Sequence, residues 1–594
     1  MRKFDVYLIK PTRYDDDGYP VQWLKSIIPS NSLASVAALL RDCEARKTLG
    51  PDVEFVAHPI DETNAEVDTG AIIAKAGEPG ARVLVMLIGV QTNQYPRAID
   101  IARPLRAAGL PVCIGGFHVS GCIAMVGVDC PELMDARALG LSMFAGEAEE
   151  GRLEEVLRDG FANALKPLYD HLAHMPSLIG APAPYLPPDI VARTASRWSS
   201  FDLGRGCPFE CSFCTIINVQ GRKSRFRDAD DLEKIVRENN ANGIRRFFVT
   251  DDNLARNRNW EAYADRLIKL QETDGIFLKF IIQVDTMAHR IPRFIEKMYR
   301  AGAHIIFIGL ENINPDNLES VKKRQNRIEE YREMLMAWKI HGCMIVCGYI
   351  VGFPNDTKAS ILHDVDVIKR ELPIDALYLN YLTPLPGSED HKKMRAAGSW
   401  MDEDGNKYDL NHRVTRHPKM SDREWDEAYV AAHRSFYSYE HMARVFRRMM
   451  RMRTQQPFVT LSTLLVYREG PRLEQVAFSE YGFWRITRRK QRRHGLPIES
   501  PVVFYPKLAA RTAYKLFEYG KTYAWLRFSL WRARREFARN GFSVYRDAAI
   551  EQVASGVDAI IAETEARSTP AARRRQQNRL KAASAALAEE GVAT

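Results

Sequence analysis

Short apolar runs alternate with amphipathic stretches along the first 150 residues of the chain. Stretches such as Ala98 to Ala107 carry apolar residues at helical spacing. The runs of strand length are Phe4 to Ile9, Val53 to Ala57, Val83 to Gly89, Val112 to Gly115 and Leu139 to Phe144. Strands that alternate with helices in this way form a parallel sheet covered by helices on both faces. The pattern predicts a Rossmann-like, doubly wound α/β domain over residues 1–150.

The alternation resumes after a stiff segment rich in proline and alanine, Ala181 to Pro188, which predicts a linker over residues 151–198. Six further strand-like runs are Phe201 to Leu203, Arg246 to Thr250, Lys279 to Val284, Ile305 to Gly309, Met344 to Ile350 and Leu377 to Leu382. Six consecutive strand–helix units predict a partial (β/α)6 barrel over residues 199–400. Reactive side chains of such barrels follow the strands and meet at the carboxyl mouth.

The remaining chain is basic and helical in pattern, which predicts a helical domain over residues 401–565 and a flexible tail over 566–594. A basic segment, Arg485 to His494, precedes interleaved aromatic residues, which are Tyr505, Tyr514, Phe517, Tyr519, Tyr523, Trp525, Phe528 and Trp531. Three interpretations stay open: a solvated helical face, a surface for anionic lipid, or an RNA-binding surface. RNA is the least expected of these partners, because the pattern is helical.

Composition bears on the cellular compartment in which we expect the protein. The formal net charge is +9 over 594 residues, and the chain has nine cysteines. Apart from one loop the cysteines are scattered, as is typical of free thiols in a reducing cytosol. No N-terminal signal follows Met1, and the longest apolar runs are too short to cross a bilayer. We therefore expect a cytoplasmic protein, either soluble or peripheral at the inner face of the membrane.

The most specific chemical signal is the spacing of Cys207, Cys211 and Cys214. Three thiolates in one short loop can ligate three irons of a four-iron, four-sulfur (4Fe–4S) cluster and leave the fourth iron open. A zinc site or a disulfide with one thiol left over are the alternatives. Zinc requires four ligands, no histidine or fourth cysteine follows at finger spacing, and three thiols make a poor disulfide framework. The spacing therefore favours a cluster.

The cysteine loop resembles the radical S-adenosylmethionine (SAM) signature Cys-x3-Cys-x-aromatic-Cys, with Phe213 at the aromatic position. The resemblance implies that the open iron binds SAM and cleaves it to a deoxyadenosyl radical, with an external low-potential electron donor. Further segments resemble the family in the expected order, although Phe247 to Asn253 departs from the common Gly-Gly-Glu form. The implied SAM contacts are Phe213, Asp251, Asp252, Asn253, Glu311, Gly348, Ile350 and Gly352.

The first domain resembles the cobalamin-binding domain that precedes the barrel in one class of radical SAM enzymes, the class B methyltransferases. The implied cobalamin contacts follow strands and are Gln91, Thr92, Asn93, Gln94, Gly115, Gly116, His118, Gly146 and Glu147. Glycine permits close approach of a flat ligand to the strand ends. An Asp-x-His-x-x-Gly motif is missing after the first strand, so we expect no histidine ligand to cobalt and a packing role for His118. The alternative is a nucleotide-type fold with a vestigial site.

The resemblance implies a cobalamin-dependent radical SAM methyltransferase that acts on an unactivated carbon of a small molecule, such as a lipid or terpenoid. In that scheme one SAM supplies the methyl group through cobalamin, and a second supplies the radical. Two alternatives stay open: cyclisation or oxidative rearrangement without methyl transfer, and a membrane- or RNA-binding protein with a structural cluster. Cys343 and Cys347 are expected to be packing residues.

Overall fold

The computed structural model describes residues 2–452, 456–541 and 545–550. Within these ranges the chain forms two six-stranded parallel sheets and two short antiparallel strand pairs. The predicted α/β fold class is therefore confirmed. The predicted tail, residues 566–594, lies outside the described residues.

The first sheet has the strand order β3-β1-β4-β5-β6-β7, with every neighbouring pair parallel. The strands of this part of the chain are β1 (Arg2–Lys10), β2 (Gln22–Ser26), β3 (Val53–Asp61), β4 (Arg82–Leu87), β5 (Val112–Gly115), β6 (Ser142–Ala145) and β7 (Leu168–Asp170). The helices are α1 (Asn31–Ala45), α2 (Thr69–Ala76), α3 (Tyr95–Ala107), α4 (Phe117–Met125), α5 (Met134–Ala138) and α6 (Arg152–Phe161). Strand β2 lies outside this sheet.

Both faces of the first sheet are buried, as the unbroken apolar runs of its strands require. On β4, Leu84 and Met86 join the core on one face, while Val85 and Leu87 join the core on the other. The sheet extends past the expected boundary at residue 150, because α6 and β7 complete it. Helix α6 has buried residues at helical spacing, but β7 has only three residues, which is too short for the pattern to show that the sheet continues.

The second sheet has the order β8-β11-β12-β13-β14-β15, so its strands are neighbours in chain order, as in a partial barrel. The strands here are β8 (Trp198–Phe201), β9 (Gly204–Arg205), β10 (Arg225–Phe226), β11 (Arg246–Val249), β12 (Lys279–Val284), β13 (Ala303–Glu311), β14 (Met344–Val351) and β15 (Ala376–Tyr381). The helices are α7 (Pro188–Ala192), α8 (Ile216–Val219), α9 (Ala229–Ala241), α10 (Trp260–Glu272), α11 (Phe294–Ala301), α12 (Pro315–Ser320), α13 (Tyr331–Ile340), α14 (Lys358–Glu371) and α15 (Glu389–Ala396). Strands β9 and β10 form an antiparallel pair that leads into the cysteine loop.

The barrel strands have one face toward the interior and one toward the outer helices. The Tyr349 hydroxyl donates to the Asp364 carboxylate of α14 at 2.9 Å, so odd-numbered side chains of β14 point outward. Cys347 is therefore an outward residue, and it is fully buried, which agrees with a packing role. Gly348 therefore lies on the inward face of β14, and its register partner on β13, Gly309, lies on the inward face of that strand.

The C-terminal part is mostly helical, as predicted. Its elements are α16 (Asp422–Phe436), α17 (Tyr439–Arg451), α18 (Pro457–Glu469), β16 (Gly482–Ile486) and α19 (Pro501–Asn540). Strand β16 pairs antiparallel with β2 and so ties this part to the loop after β1. Among the helices of the described ranges, none combines the length and the apolar character that crossing a membrane requires.

The basic segment at residues 485–494 is largely occupied by contacts within the protein. Arg485 pairs with Asp15 at 3.0 Å, and Arg493 pairs with Asp404 at 2.8 Å. Arg488 pairs with a further carboxylate of the first domain. This segment therefore joins parts of the chain. Six exposed aromatic residues lie on α19, and two more, Phe483 and Trp484, lie on β16.

Candidate active site at the barrel mouth

The cysteine loop, residues 207–214, follows β9 and is held by its backbone. Gly206 has a φ of +90°, and a Cβ there would lie 2.6 Å from the Lys223 carbonyl oxygen, so glycine is required at the entry to the loop. The N–H of Ser212 donates to the carbonyl of Val321 at 3.1 Å. These contacts fix the path of the loop independently of the thiols.

Burial disfavours the charged form of two of the three thiols. Burial raises the pKa of Cys207, and burial raises the pKa of Cys214 to about 12, so a nearby positive charge is needed to hold thiolates there. The Gln325 side-chain amide donates to the Cys211 sulfur at 3.4 Å. Within the described part of the chain, no three His, Cys, Asp or Glu side chains converge on a single metal position. Cluster thiolates each ligate a different iron, so this donor set fits a cluster.

The polar residues after β11 brace the start of the barrel. Asp251 accepts the Leu203 N–H at 2.6 Å, and Asp252 accepts the Gly206 N–H at 3.3 Å, next to the cysteine loop. Asn253 donates to a carboxylate that follows β12 at 2.9 Å. Burial raises the pKa of both Asp251 and Asp252 to about 7. Asp252 thus links this strand end to the cluster loop, while the other two side chains bridge neighbouring strand ends.

Glu311 stands at the end of β13 with a φ of +64°, a conformation that a side chain other than glycine adopts only when its surroundings hold it. Its carboxylate pairs with Lys323 at 2.5 Å, and the Lys323 ammonium lies 5.7 Å from the centre of the Phe213 ring. A Cβ on Gly348 would lie 3.5 Å from a Glu311 carboxylate oxygen. The structure thus brings Phe213, Glu311 and Gly348 together, with Lys323 beside the cysteines.

Ile350 and Gly352 occupy different surroundings. Ile350 packs with Phe353, and partly buried Phe213 contacts the same apolar cluster. Gly352 has a φ of +103°, and a Cβ there would lie 2.2 Å from the Trp425 ring of α16. Glycine is thus needed at 352 for helix packing, whereas Ile350 and Phe213 form an apolar surface next to the cysteine loop.

An aromatic series leads from the barrel interior to the C-terminal part. The Phe307 and Tyr378 rings lie 6.4 Å apart and are both partly exposed, and Tyr378 lies 6.2 Å from Tyr467 of α18. Tyr467 stacks on Phe478 at 5.1 Å. Register places Phe307 on the inward face of β13, so these rings form an apolar wall of the barrel interior.

A cavity lies at the carboxyl edge of the first sheet, beside the cysteine-loop side of the barrel. Four of the residues that the sequence assigned to cobalamin line it, namely Gly115, Gly116, Gly146 and Glu147. Asn31 Oδ1 and Ser35 Oγ are buried without a hydrogen-bond partner, and both residues line this cavity. Because buried polar atoms are normally paired, a ligand with hydrogen-bonding groups fits this site.

The glycines of the cavity are required by close backbone approach. Gly116 has a φ of +145°, and a Cβ there would lie 2.2 Å from the Val90 nitrogen. Gly146 has a φ of +108°, and its N–H donates to the Ser120 hydroxyl at 3.1 Å. The Cβ positions of both glycines face protein backbone, so packing within the domain requires glycine there, and the unpaired polar atoms of Asn31 and Ser35 are what indicate a ligand. The residues therefore fit a corrin along this edge.

The other residues assigned to cobalamin lie away from the cavity lining. His118 is buried between the Thr92 hydroxyl and a backbone carbonyl, and burial lowers its pKa to about 4. Asn93 donates to Glu480 at 2.8 Å, and the side chain of Gln94 accepts the N–H of Gln91 at 3.1 Å. His118 thus has the packing and hydrogen-bonding surroundings expected of it. The individual contacts assigned to cobalamin and SAM remain predictions.

Comparison with known proteins identifies the barrel. Residues 202–368 match the family described as the radical SAM superfamily. Residues 202–368 therefore form a radical SAM domain. Radical SAM domains bind a 4Fe–4S cluster and SAM. The match therefore confirms these two expected cofactors and the expected class of enzyme.

Two relatives of this chain are methylating enzymes by name. The bacteriochlorophyllide d C-8(2)-methyltransferase of Chlorobaculum tepidum is 29% identical over 355 residues, which are 56% of this chain and 73% of the relative. The hopanoid C-2 methylase of Rhodopseudomonas palustris is 26% identical over 209 residues, 34% of this chain and 39% of the relative. The structure of the cobalamin-dependent S-adenosylmethionine radical enzyme OxsB with aqua-cobalamin bound has a TM-score of 0.52 over 94% of this chain and 84% of that chain, at 13% identity. This likeness shows the fold.

The sequence did not predict several residues that lie beside the cysteines or line the cavity. Lys323 and Gln325 reach the cysteines from a loop more than 100 residues away, and Asn31 and Ser35 reach the cavity from α1. Lys and Gln in a polar loop give no local signal. Asn31 could have been found from its place at the start of a predicted helix beside the strand ends.

Proposed function

We propose that the protein is a cobalamin-dependent radical SAM methyltransferase that acts on an unactivated carbon of a hydrophobic small molecule. The observation that carries the proposal is the cavity beside the cysteine loop, which combines glycine-lined strand ends with the unpaired polar atoms of Asn31 and Ser35. When bound, the cluster supplies the electron that cleaves SAM, and cobalamin supplies methyl transfer. The named activities of the two relatives support this choice of reaction.

The chain's own residues would divide the work between the two sites. Cys207, Cys211 and Cys214 would hold the cluster, and Asp252 fixes the backbone at Gly206 that precedes them. Phe213 and Ile350 offer an apolar surface for the adenine of SAM. The remaining predicted SAM contacts are Asp251, Asp252, Asn253, Glu311, Gly348 and Gly352. The cobalamin contacts that line the cavity would be Gly115, Gly116, Gly146 and Glu147. The other predicted contacts, Gln91, Thr92, Asn93, Gln94 and His118, lie outside this lining.

Metal content and product analysis test this proposal together. Protein made with cobalamin available and purified without oxygen is expected to contain about four irons and one cobalt per chain. With a reductant and SAM it should form both deoxyadenosine and S-adenosylhomocysteine. Iron without cobalt would remove the cobalamin part of the proposal. Deoxyadenosine without S-adenosylhomocysteine would favour cyclisation or oxidative rearrangement, and no SAM cleavage would favour a structural cluster.

The apolar wall of the barrel interior supports a hydrophobic acceptor. Phe307 and Tyr378 are partly exposed aromatic rings that pack edge to face, which favours an apolar substrate. The expected substrate is thus a lipid, terpenoid or similarly apolar molecule. Phe307→Ala should raise KM for such a substrate about tenfold with SAM cleavage intact, because a buried aromatic contact is lost. An unchanged KM would place the acceptor elsewhere.

We also propose that the enzyme binds an anionic membrane surface through α19. This helix carries nine Lys or Arg residues and two Asp or Glu residues. Its exposed apolar side chains include Phe517, which is 65% exposed, and Trp531, which is 50% exposed. Arg535 lies over the Trp531 ring at 4.6 Å. Strand β16, joined to α19 by the Tyr481–Tyr519 hydrogen bond of 2.8 Å, exposes two more aromatic residues. Basic and aromatic residues together match a bilayer with anionic lipid.

Vesicle sedimentation tests the membrane proposal. The protein should sediment with phosphatidylglycerol vesicles, less with phosphatidylcholine vesicles, and less at high salt. Phe517→Ser combined with Trp531→Ser should weaken binding, whereas Met134→Ser, which changes an exposed apolar side chain on the first domain, should not. Equal binding by both variants would refute the role of α19.

The proposal also includes a cellular location and an electron donor. All nine cysteines are free in the structure, which supports a reducing cytoplasm. We expect the protein there, peripheral at the inner membrane face, with an external low-potential donor and no nucleic-acid partner. Fractionation of cells with and without salt washing would test the location.

A further inference from the structure

One arginine joins the first domain to the cluster loop. Arg205 lies two residues before Cys207, and each nitrogen of its guanidinium contacts a different carboxylate. The partners are Glu147 at 2.7 Å and Glu149 at 2.7 Å, both after β6, and Asp202 at 3.0 Å, after β8. The guanidinium is therefore held from two domains at once.

This group of charges is buried and balanced. Arg225 also pairs with Glu147, and Arg227 pairs with Asp202, so three arginines face three carboxylates. Arg205 is 9% exposed and Glu149 is 3% exposed. A buried charge that loses its partner is strongly destabilised, so these contacts hold their positions tightly. The planar, forked guanidinium fixes angle as well as distance, which lysine would not do.

The same residues belong to the cavity of the first domain. Glu147, Glu149 and Arg205 all line it, together with Gly146. An occupant of the cavity therefore touches the group that fixes the start of the cysteine loop. Asp252 holds the neighbouring Gly206 N–H from the barrel side. A shift of Arg205 would move the loop relative to the cavity.

We propose that Arg205 is a positioning residue that couples occupancy of the first-domain cavity to the placement of the cluster loop. Identifying the occupant as cobalamin rests on the proposed function. Glu147 then acts chiefly as an anchor for Arg205 and Arg225. Coupling of this kind is reciprocal, so assembly of the cluster should strengthen binding in the cavity. Because Arg205 pairs with Glu147 and Glu149, it should also restrain the loop after β6.

Amide hydrogen exchange on the full chain tests the coupling, with the protein measured before and after cluster assembly and before and after addition of hydroxocobalamin. Hydroxocobalamin should slow exchange in residues 202–214, and assembly of the cluster without cobalamin should slow exchange in residues 146–149. Arg205→Lys and Glu149→Gln should lose both effects and raise the Kd for hydroxocobalamin about tenfold. Iron content should stay at the wild-type value, since no thiol is altered.

A matched control separates coupling from simple loss of an ion pair. Arg41 of α1 and Glu238 of α9 also pair across the two domains, at 2.8 Å, but on the exposed surface. Glu238→Gln should leave both exchange effects unchanged. If cobalamin binds and Arg205→Lys and Glu149→Gln keep both effects, the inference is overturned while the proposed function stands. If cobalamin does not bind, the proposed function fails, and the cluster-assembly experiment still decides the role of Arg205.

Discussion

At the scale of single residues, an unpaired buried hydroxyl marks the cavity more clearly than any motif. Ser35 Oγ has no partner, so its burial costs stability and its polarity serves only a ligand. Ser35→Ala should leave stability equal or raise it by about 1 kcal/mol, and weaken cobalamin binding about threefold to tenfold. Thermal unfolding and cobalamin titration measure the two effects.

Ser462→Ala serves as the control for that substitution. Ser462 is exposed and bonds only to carbonyls of its own helix. Ser462→Ala should therefore leave cobalamin binding unchanged. Loss of stability with retained cobalamin binding in Ser35→Ala would show that the hydroxyl serves the fold instead.

The thiols provide a second prediction at this scale. Cys211→Ala should abolish both cluster binding and SAM cleavage, because the remaining two thiolates cannot hold the cluster. Cys347→Ala, an outward and buried site, should cost about 1 to 3 kcal/mol of stability and leave iron content unchanged. Iron analysis and deoxyadenosine assay report the difference. Retained cleavage in Cys211→Ala would overturn the assignment of the loop.

At the scale of elements, the sequence predicts what local spacing determines. The six barrel strands and the cysteine loop depend on short runs of residues. Five of the strands lie where they were expected, whereas β8 (Trp198–Phe201) begins three residues before the expected run and shares only Phe201 with it. Strands β2 and β16 were not predicted, because each is only five residues long and its pairing partner lies more than 400 residues away in the chain. Lys323 and Gln325 were not predicted either, because the residues they contact in the cysteine loop are distant in sequence.

The pairing of β2 with β16 gives a prediction for this scale. A Cβ on Gly482 would lie 2.3 Å from the Trp23 ring and 2.5 Å from the Lys25 carbonyl oxygen. Gly482→Ala should therefore separate the strands and destabilise the protein by about 1 to 3 kcal/mol. Gly520→Ala, in α19 with open space around its Cβ position, should instead stabilise by about 0.5 to 1 kcal/mol. Denaturant unfolding of both variants distinguishes strand disruption from a general intolerance of alanine.

At the scale of the whole molecule, buried ion pairs join regions that are far apart in sequence. Arg13, in the loop after β1, pairs with Asp409 at 3.2 Å and with Glu480 at 2.7 Å. His412 lies between Asp409 at 3.0 Å and Asp16 at 3.2 Å. The loop after β1 is thus held to the segment that follows the barrel, and the first domain cannot move away from the barrel without breaking these pairs.

The charge on His412 makes this attachment depend on pH. Burial alone would lower its pKa, but the carboxylates of Asp16 and Asp409 outweigh burial and raise the pKa to about 10. The folded state therefore binds its proton more tightly than the unfolded state, whose histidine has a pKa of about 6.5. The stabilisation is complete below about pH 6.5 and is lost as the pH rises toward 10. His412→Gln should be less stable than the wild type at pH 6, and the two should converge near pH 10. Denaturant unfolding across this range measures the difference, and a gap that stays constant with pH would show that His412 contributes no charge.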